Sequence, residues 1–233
     1  MIREGDLCCF IPNKPLTDKA IILDLDETCV HTAEEGKKIT KTILNNPNLD
    51  GDIYTLELDD GKLKMWGTKR PHLDEFLLFC FTYFKYVCVW SAGQKDYVHA
   101  LVDVLFERFR DPYLVFTFDN CIQNEEGDWI KPLSIFFDHP KCKDKIIPDN
   151  TFVIDDRNYT FERNIENGIL IPAYSPKTIK EIKKEDNHLH RLKGWLMCRS
   201  CRLCDNVKDT HKNKIFDREP EVYSAKLMEE YDI

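Results

Sequence analysis

An α/β fold built on a central parallel sheet is predicted from three stretches of this chain. The first is the apolar run Ala20–Leu23, which passes straight into Asp24, with Asp26 two positions further on. A continuous apolar run suits a strand buried on both faces, the kind found inside parallel sheets. The second is Tyr86–Trp90, ending in Ser91-Ala92-Gly93, and the third is residues 151–154, ending in Asp155-Asp156-Arg157. In open sheets of this kind ligands gather beyond the carboxyl ends of the strands, where all of these polar residues would stand.

Bulk composition supports a packed enzyme-sized body. The chain has 233 residues, enough for one domain or one domain with an inserted subdomain, and 42% of them are apolar. Lys and Arg number 33 against 41 Asp and Glu, a net charge of −8, which argues against broad nucleic-acid binding. Ten cysteines are many, but no basic-plus-apolar leader opens the chain, so a secreted disulfide scaffold is disfavoured. The longest apolar stretch, residues 76–84, is far short of the about 20 needed to span a membrane. The expectation is a soluble intracellular protein, in nucleus or cytoplasm.

In chain order, residues 1–19 form an entry segment, and the central strand follows. Two carboxylates at the end of a buried strand, Asp24 and Asp26, are costly without a partner. A cation is the natural partner, and an all-oxygen set suits Mg²⁺. Residues 32–50, with Lys37, Lys38 and Lys41, read as a loop or an excursion from the sheet. Alternating residues on both sides of Asp59-Asp60-Gly61 predict a hairpin, with Tyr54, Leu56 and Leu58 on one face and Leu63 and Met65 facing together on the return strand. Residues 73–84 predict a buried helix, opened by Pro71, Asp74 and Glu75. Residues 96–109 predict a second, with Tyr97, Ala100, Leu101, Val104 and Leu105 inward. Then come a strand over 114–122, a polar turn over 123–128, the string Trp129-Ile130-Lys131-Pro132-Leu133-Ser134, and an edge strand over 168–173. One long helix is predicted over 175–197 and another possible one over 220–231. Cys198, Cys201 and Cys204, with His211, have metal-ligand spacing but lack two separated pairs, so zinc and a thiol-rich helix end both stay open.

The stretch Leu23-Asp24-Leu25-Asp26-Glu27-Thr28-Cys29-Val30-His31 resembles the first motif of the haloacid dehalogenase (HAD) superfamily. Within that superfamily it is similar to the phosphatases of the RNA polymerase II C-terminal domain (CTD), both the small and the FCP type. Lys69-Arg70-Pro71 with Asp74-Glu75-Phe76-Leu77 is similar to the same branch. Ser91 stands at the second motif, Lys131 with Leu133-Ser134 at the third, and Asp155-Asp156 at the fourth in its FCP-type form. Pro132 departs from the pattern, where relatives often carry Asp.

The resemblance covers residues 20–196 and implies a Rossmann-like three-layer HAD fold with a small β-hairpin insertion over about 32–68. The phosphatase domain would be 1–197, followed by a Cys-containing extension over 198–233. It implies Asp24 as nucleophile, Asp26 as general acid and base, and Lys131 as the neutralising cation. Asp24, Asp26 through its backbone carbonyl, Asp155 and Asp156 would hold Mg²⁺, with Asp156 a direct ligand and Asp155 positioning water, Lys131 or both. Thr28, Ser91 and Ala92 would shape the phosphate site. Arg70 and Arg157 would reach substrate or serve structure, and Tyr54, Leu56, Leu63 and Met65 would form an apolar wall for a peptide or simply pack the hairpin. The implied function is a Mg²⁺-dependent phosphoserine/threonine protein phosphatase working through an aspartyl-phosphate. Its partner would be a phosphorylated peptide, possibly the polymerase C-terminal domain, with no direct nucleic acid and no membrane. A non-catalytic adaptor on the same fold, or a phosphatase for small-molecule or nucleic-acid-end phosphates, are the alternatives.

Overall fold

In the computed structural model, residues 7–34, 45–49 and 51–216 are described. Strand β1 (Ala20–Leu23) lies at the centre of a five-stranded sheet. On one side it pairs with β5 (Tyr86–Trp90), which pairs with the two-residue β6 (Val115–Phe116). On the other it pairs with β9 (Thr151–Asp155), which pairs with the edge strand β10 (Gly168–Leu170). Every pairing is parallel.

The continuous apolar runs are explained by the two faces of this sheet. Ile21, Leu23, Val87, Val89, Phe152 and Ile154 join one buried cluster, while Ala20, Ile22, Cys88, Trp90 and Val153 join the other. Side chains alternate across a strand, so a sheet covered on both sides needs apolar residues at every position. The first cluster is covered by α1 (Leu73–Tyr83), α2 (Lys95–Phe106) and the helix His188–Met197. The second is covered by Leu133, Phe136, Cys142, Ile146 and Phe161, on and around α3 (Ser134–Asp138). Three layers result, as the α/β reading expected.

The insertion is larger than the hairpin expected. β3 (Ile53–Leu58) and β4 (Leu63–Lys69) pair around Asp59-Asp60-Gly61, all three at positive φ. β2 (Val30–Glu34) adds to the free edge of β4, giving an antiparallel order β2-β4-β3. Pairing that edge satisfies backbone groups a two-stranded hairpin would leave bare. Lys37, Lys38 and Lys41 lie outside the described residues, as does the helix expected over 220–231.

Two further expectations are corrected. The single long helix over 175–197 is two, α4 (Ile179–Ile182) and α5 (His188–Met197). Asp186 sits between them and accepts from the His188 N–H at 3.0 Å while pairing with Arg70, which breaks the helical run. The strand over 114–122 is interrupted after Phe116, because Asn120 Oδ1 accepts from the Thr117 N–H at 3.0 Å and turns the chain. Ile122–Gln123 (β7) then pairs antiparallel with Trp129–Ile130 (β8), with the polar turn between them. Cys198, Cys201, Val207 and Ile215 are buried in the first core cluster, so this part of the chain packs on the body.

Candidate active site

The carboxyl ends of β1, β5 and β9 and the residue after β8 converge on one cavity of about 370 Å³. Asp24 follows β1, and its N–H donates to the Ile154 carbonyl at 3.0 Å, which extends the sheet register by one residue. Lys131 follows β8 and is 3% exposed. Its ammonium donates to Asp24 Oδ1 and to Asp155 Oδ2, each at 2.6 Å. Asp155 Oδ1 accepts from the Arg157 N–H at 2.9 Å, so both oxygens of Asp155 are engaged. Asp156 is more open. Asp24, Asp155 and Asp156 each offer an oxygen within 4.8 Å of the others, a hard-oxygen set that fits a divalent cation such as Mg²⁺.

Asp26 stands on the other side of Asp24, held by groups from α2 and the insertion. Tyr97 donates a short hydrogen bond to its Oδ1, and Thr32 Oγ1 lies 3.3 Å from the same oxygen. Thr32 also shares hydrogen bonds with the Tyr54 and Tyr97 hydroxyls, at 2.6 Å each. The Ser91 hydroxyl is 3.5 Å from Asp26 Oδ2 and accepts from the Gly93 N–H at 3.0 Å. Ser91, Ala92 and Arg157 all line the cavity.

Burial sets the charge states. It pushes the Asp24 carboxyl up to about 8, against the pull of Lys131 and with the help of the Asp155 charge. Burial also raises Asp26 and Asp156, with Tyr97 pulling Asp26 back down and Asp155 pushing Asp156 further up. For Lys131 burial works the other way, but Asp155 and Asp24 outweigh it and hold the ammonium above the usual lysine range. An electron-rich cluster with one buried cation can take further positive charge, and a phosphoryl group can then approach it.

Six expected site residues do not line the cavity. Arg70 is 1% exposed and structural: it donates to the carbonyls of Thr28 (3.0 Å) and Pro172 (2.7 Å) and pairs with Asp186 at 3.0 Å. It does not line the cavity. Thr28 is fully buried, its hydroxyl unpartnered among the described residues, so it supports the loop and meets no phosphate. Leu56 is packed in the first core cluster, and Met65, opposite it on β4, is packed against the same cluster. Tyr54 is buried too, lying across Gly67, where any Cβ would meet its hydroxyl at 2.2 Å. The hairpin face packs the insertion onto the body, the second of its two expected roles, and Leu63, at the exposed tip, does not line the cavity. A larger hollow of about 810 Å³ behind β3, bordered by Lys69, Asp74 and Val104, contains no comparable set of acids around a lysine.

Tyr97 and Thr32 were not legible as site residues. Tyr97 looked like part of an apolar helix face, and Thr32 like the start of a polar loop. The one available signal was the proximity of Thr32 to the Asp24/Asp26 pair in sequence. The Cys198 and Cys201 sulfurs are 3.4 Å apart, and Cys204 donates to the Cys201 carbonyl. No three of Cys198, Cys201, Cys204 and His211 bring ligand atoms together within 4.8 Å.

Residues 19–208 match the family described as NIF, NLI interacting factor-like phosphatase. The chain belongs to this NLI interacting factor-like phosphatase family. Among its relatives, the CTD small phosphatase-like protein 2 of Dictyostelium discoideum is 25% identical over 155 residues, 66% of this chain and 24% of that protein. The CTD nuclear envelope phosphatase 1 of Xenopus tropicalis is 30% identical over 134 residues, 57% of this chain and 52% of that protein. This family member thus spans about a quarter to a half of the length of those curated relatives. A solved structure of the fission yeast RNA polymerase II CTD phosphatase Fcp1 bound to beryllium fluoride superposes with a TM-score of 0.52 at 20% identity, covering 75% of this chain and 48% of the other. A second Fcp1 structure gives 0.51 at 16% identity over 92% of this chain and 64% of that one. These likenesses establish the HAD fold. Among the described residues no helix is long and apolar enough to cross a membrane.

Proposed function

We infer that this protein is a Mg²⁺-dependent protein phosphatase releasing phosphate from phosphoserine or phosphothreonine through an aspartyl-phosphate on Asp24. The observation that carries this reading is Lys131, buried and 2.6 Å from both Asp24 and Asp155 at the mouth of the parallel sheet. A buried ammonium on two carboxylates is a preorganised counter-charge aimed where an incoming phosphoryl group would place its own.

Asp24 Oδ2, not held by Lys131, is the free oxygen for attack on phosphorus. Asp26 holds a proton more firmly than an ordinary carboxyl because it is buried, which suits a general acid for the leaving serine oxygen. Once deprotonated it is the base for the water that cleaves the aspartyl-phosphate. Tyr97 and Thr32 fix its orientation in both steps. Ser91 and the N–H groups after it face the phosphoryl oxygens. A cation held by Asp24, Asp155, Asp156 and the Asp26 backbone carbonyl would supply positive charge that keeps Asp24 ionised and screens the phosphoryl oxygens. The catalytic unit in this reading is 1–197, with the segment after it packed on its core.

The names of the relatives support phosphorylated peptides of the polymerase C-terminal domain as the substrate class. Eight of the described cysteines, from Cys29 to Cys204, are in no disulfide, which supports work inside the cell, in nucleus or cytoplasm. The test is phosphate release from phosphoserine peptides and from an aryl phosphate, with Mg²⁺ and with chelator, in wild type and Asp24→Asn. Release should require Mg²⁺ and vanish in the variant. Substantial turnover by Asp24→Asn would remove Asp24 as nucleophile.

A further inference from the structure

The cavity has an apolar side that the insertion does not provide. It lies at the β7–β8 hairpin, where Phe118 and Trp129 meet with ring centroids 4.5 Å apart, tilted by 58°. Both rings line the same cavity as Asp24. Trp129 is 41% exposed, so its ring is open to a ligand in that cavity. Its position is tied to the chemistry through the chain: Trp129 opens β8 and Lys131 follows that strand, two residues on and roughly 7 Å along the backbone. That separation matches one or two residues of an extended peptide whose phosphoserine sits over Asp24.

The charge of the cavity decides what the rings would hold. Asp24, Asp26, Glu27, Asp128, Asp155 and Asp156 line it, against Lys131 and Arg157. This is a formal surplus of four negative charges. A divalent cation offsets two of them and a dianionic phosphate restores two, so a surplus remains with substrate bound, three when Asp26 carries the general acid's proton. Arg157 adds little free positive charge, because it already faces Glu27 at 3.7 Å and Asp156 at 4.0 Å. An incoming acidic flank is repelled, a neutral one is indifferent, and a cationic one is attracted. An exposed indole is also the best aromatic face for an ammonium or guanidinium group.

We propose that Phe118 and Trp129 form a subsite for a lysine or arginine side chain next to the phosphorylated residue of a peptide substrate. The subsite rests on the phosphatase reading for the position of the phosphate and adds a specificity that reading does not contain. Such a preference selects basic-flanked phosphopeptides.

The experiment separates this from turnover. Three fluorescent peptides carry a phosphonate analogue of phosphoserine, which cannot be hydrolysed as an ester, with Lys, Gln or Glu two residues away on either side. Binding to the full chain in Mg²⁺ buffer is followed by anisotropy. The Lys peptide should bind about two- to fivefold tighter than the Gln peptide, the size of an exposed cation–π contact, and the Glu peptide more weakly than either. Added salt should narrow the spread. In Trp129→Ala the Lys-to-Gln ratio should fall to what the cavity charge alone supplies, a remainder that added salt removes, and in Trp129→Phe much of the lost part should return, with thermal unfolding checking that both variants fold. Equal binding of Lys and Gln peptides, a ratio undiminished in Trp129→Ala, or no binding of any peptide overturns the subsite. Peptides that bind with this preference while their phosphoserine esters release no phosphate would instead overturn the phosphatase reading and leave the subsite standing.

Discussion

Replacing Arg70 separates a structural clamp from a substrate contact. Arg70→Met keeps most of the side-chain volume and removes the guanidinium. It strands the Thr28 and Pro172 carbonyls and leaves Asp186 with only His188 beside it. Arg70 has a fully buried side chain and Asp186 one 15% exposed, so solvent replaces little of what is lost. Breaking one side of a buried pair costs about 3–5 kcal/mol, a large part of the about 5–15 kcal/mol that holds a domain folded. At 2–4 °C per kcal/mol for a chain of this size, the melting temperature should drop by roughly 10 °C. Arg70→Lys should fall between, because one ammonium cannot serve three directions that a guanidinium fork serves. The pH dependence has a definite sign. Burial alone would raise the Asp186 carboxyl, but His188 and Arg70 outweigh it and hold it well below the usual range. Its stabilisation is therefore complete above the unfolded value of about 4 and is lost as pH falls toward the folded value, so the gap between wild type and Arg70→Met should shrink below about pH 4. Urea denaturation followed by circular dichroism at pH 7 and at pH 3.5 measures both. An Arg70→Met chain within about 0.5 kcal/mol of wild type, with KM for phosphopeptide raised, would show that Arg70 serves substrate and not the fold.

The other predictions follow from neighbouring geometry. Tyr97→Phe removes a hydrogen bond to a charged acceptor worth about 1.5–3 kcal/mol, so kcat should fall about ten- to a hundredfold with the fold intact; an unchanged kcat would detach Tyr97 from Asp26. Leu56→Asp places a charge in the core cluster, so it should lower stability and reduce turnover of peptide and aryl phosphate alike. Loss confined to the peptide would restore the hairpin as a substrate wall. Elemental analysis of protein purified without chelator should find well under one equivalent of zinc, since Cys204 turns to a backbone carbonyl rather than to the other two sulfurs; a full equivalent would refute that arrangement.

What the sequence disclosed follows from how strongly each feature is constrained locally. Ala20–Leu23, Tyr86–Trp90 and Thr151–Asp155 could be placed because a strand covered on both faces has no polar position, and no other element needs that pattern. Asp24, Lys131, Asp155 and Asp156 could be found because each ends or follows such a strand. Arg70 stayed open between two roles for a different reason. An arginine near a phosphate motif and an arginine tying loops together look the same in sequence, and only Asp186, 116 residues later, distinguishes them. The break at Asp186 was hidden by the same distance, since the partner that pulls it out of the helix lies on another element.

Tyr97 shows where periodicity stops being informative. Of the face expected from Tyr97, Ala100, Leu101, Val104 and Leu105, Leu101 and Leu105 are buried and Tyr97, Ala100 and Val104 are half-buried against the first core cluster. Tyr97 stands at the border of that face, its ring against the core and its hydroxyl at the site. A tyrosine can satisfy either placement, because its ring suits the core and its hydroxyl needs a polar partner. Here Asp26 is that partner, and burial of the acid makes the hydroxyl more valuable there than in solvent. The insertion adds Thr32 and Tyr54 to the same network, so β2 and β3 reach the catalytic centre through hydroxyls. Peptide recognition is thereby left to the opposite rim, where Phe118 and Trp129 stand beside Lys131.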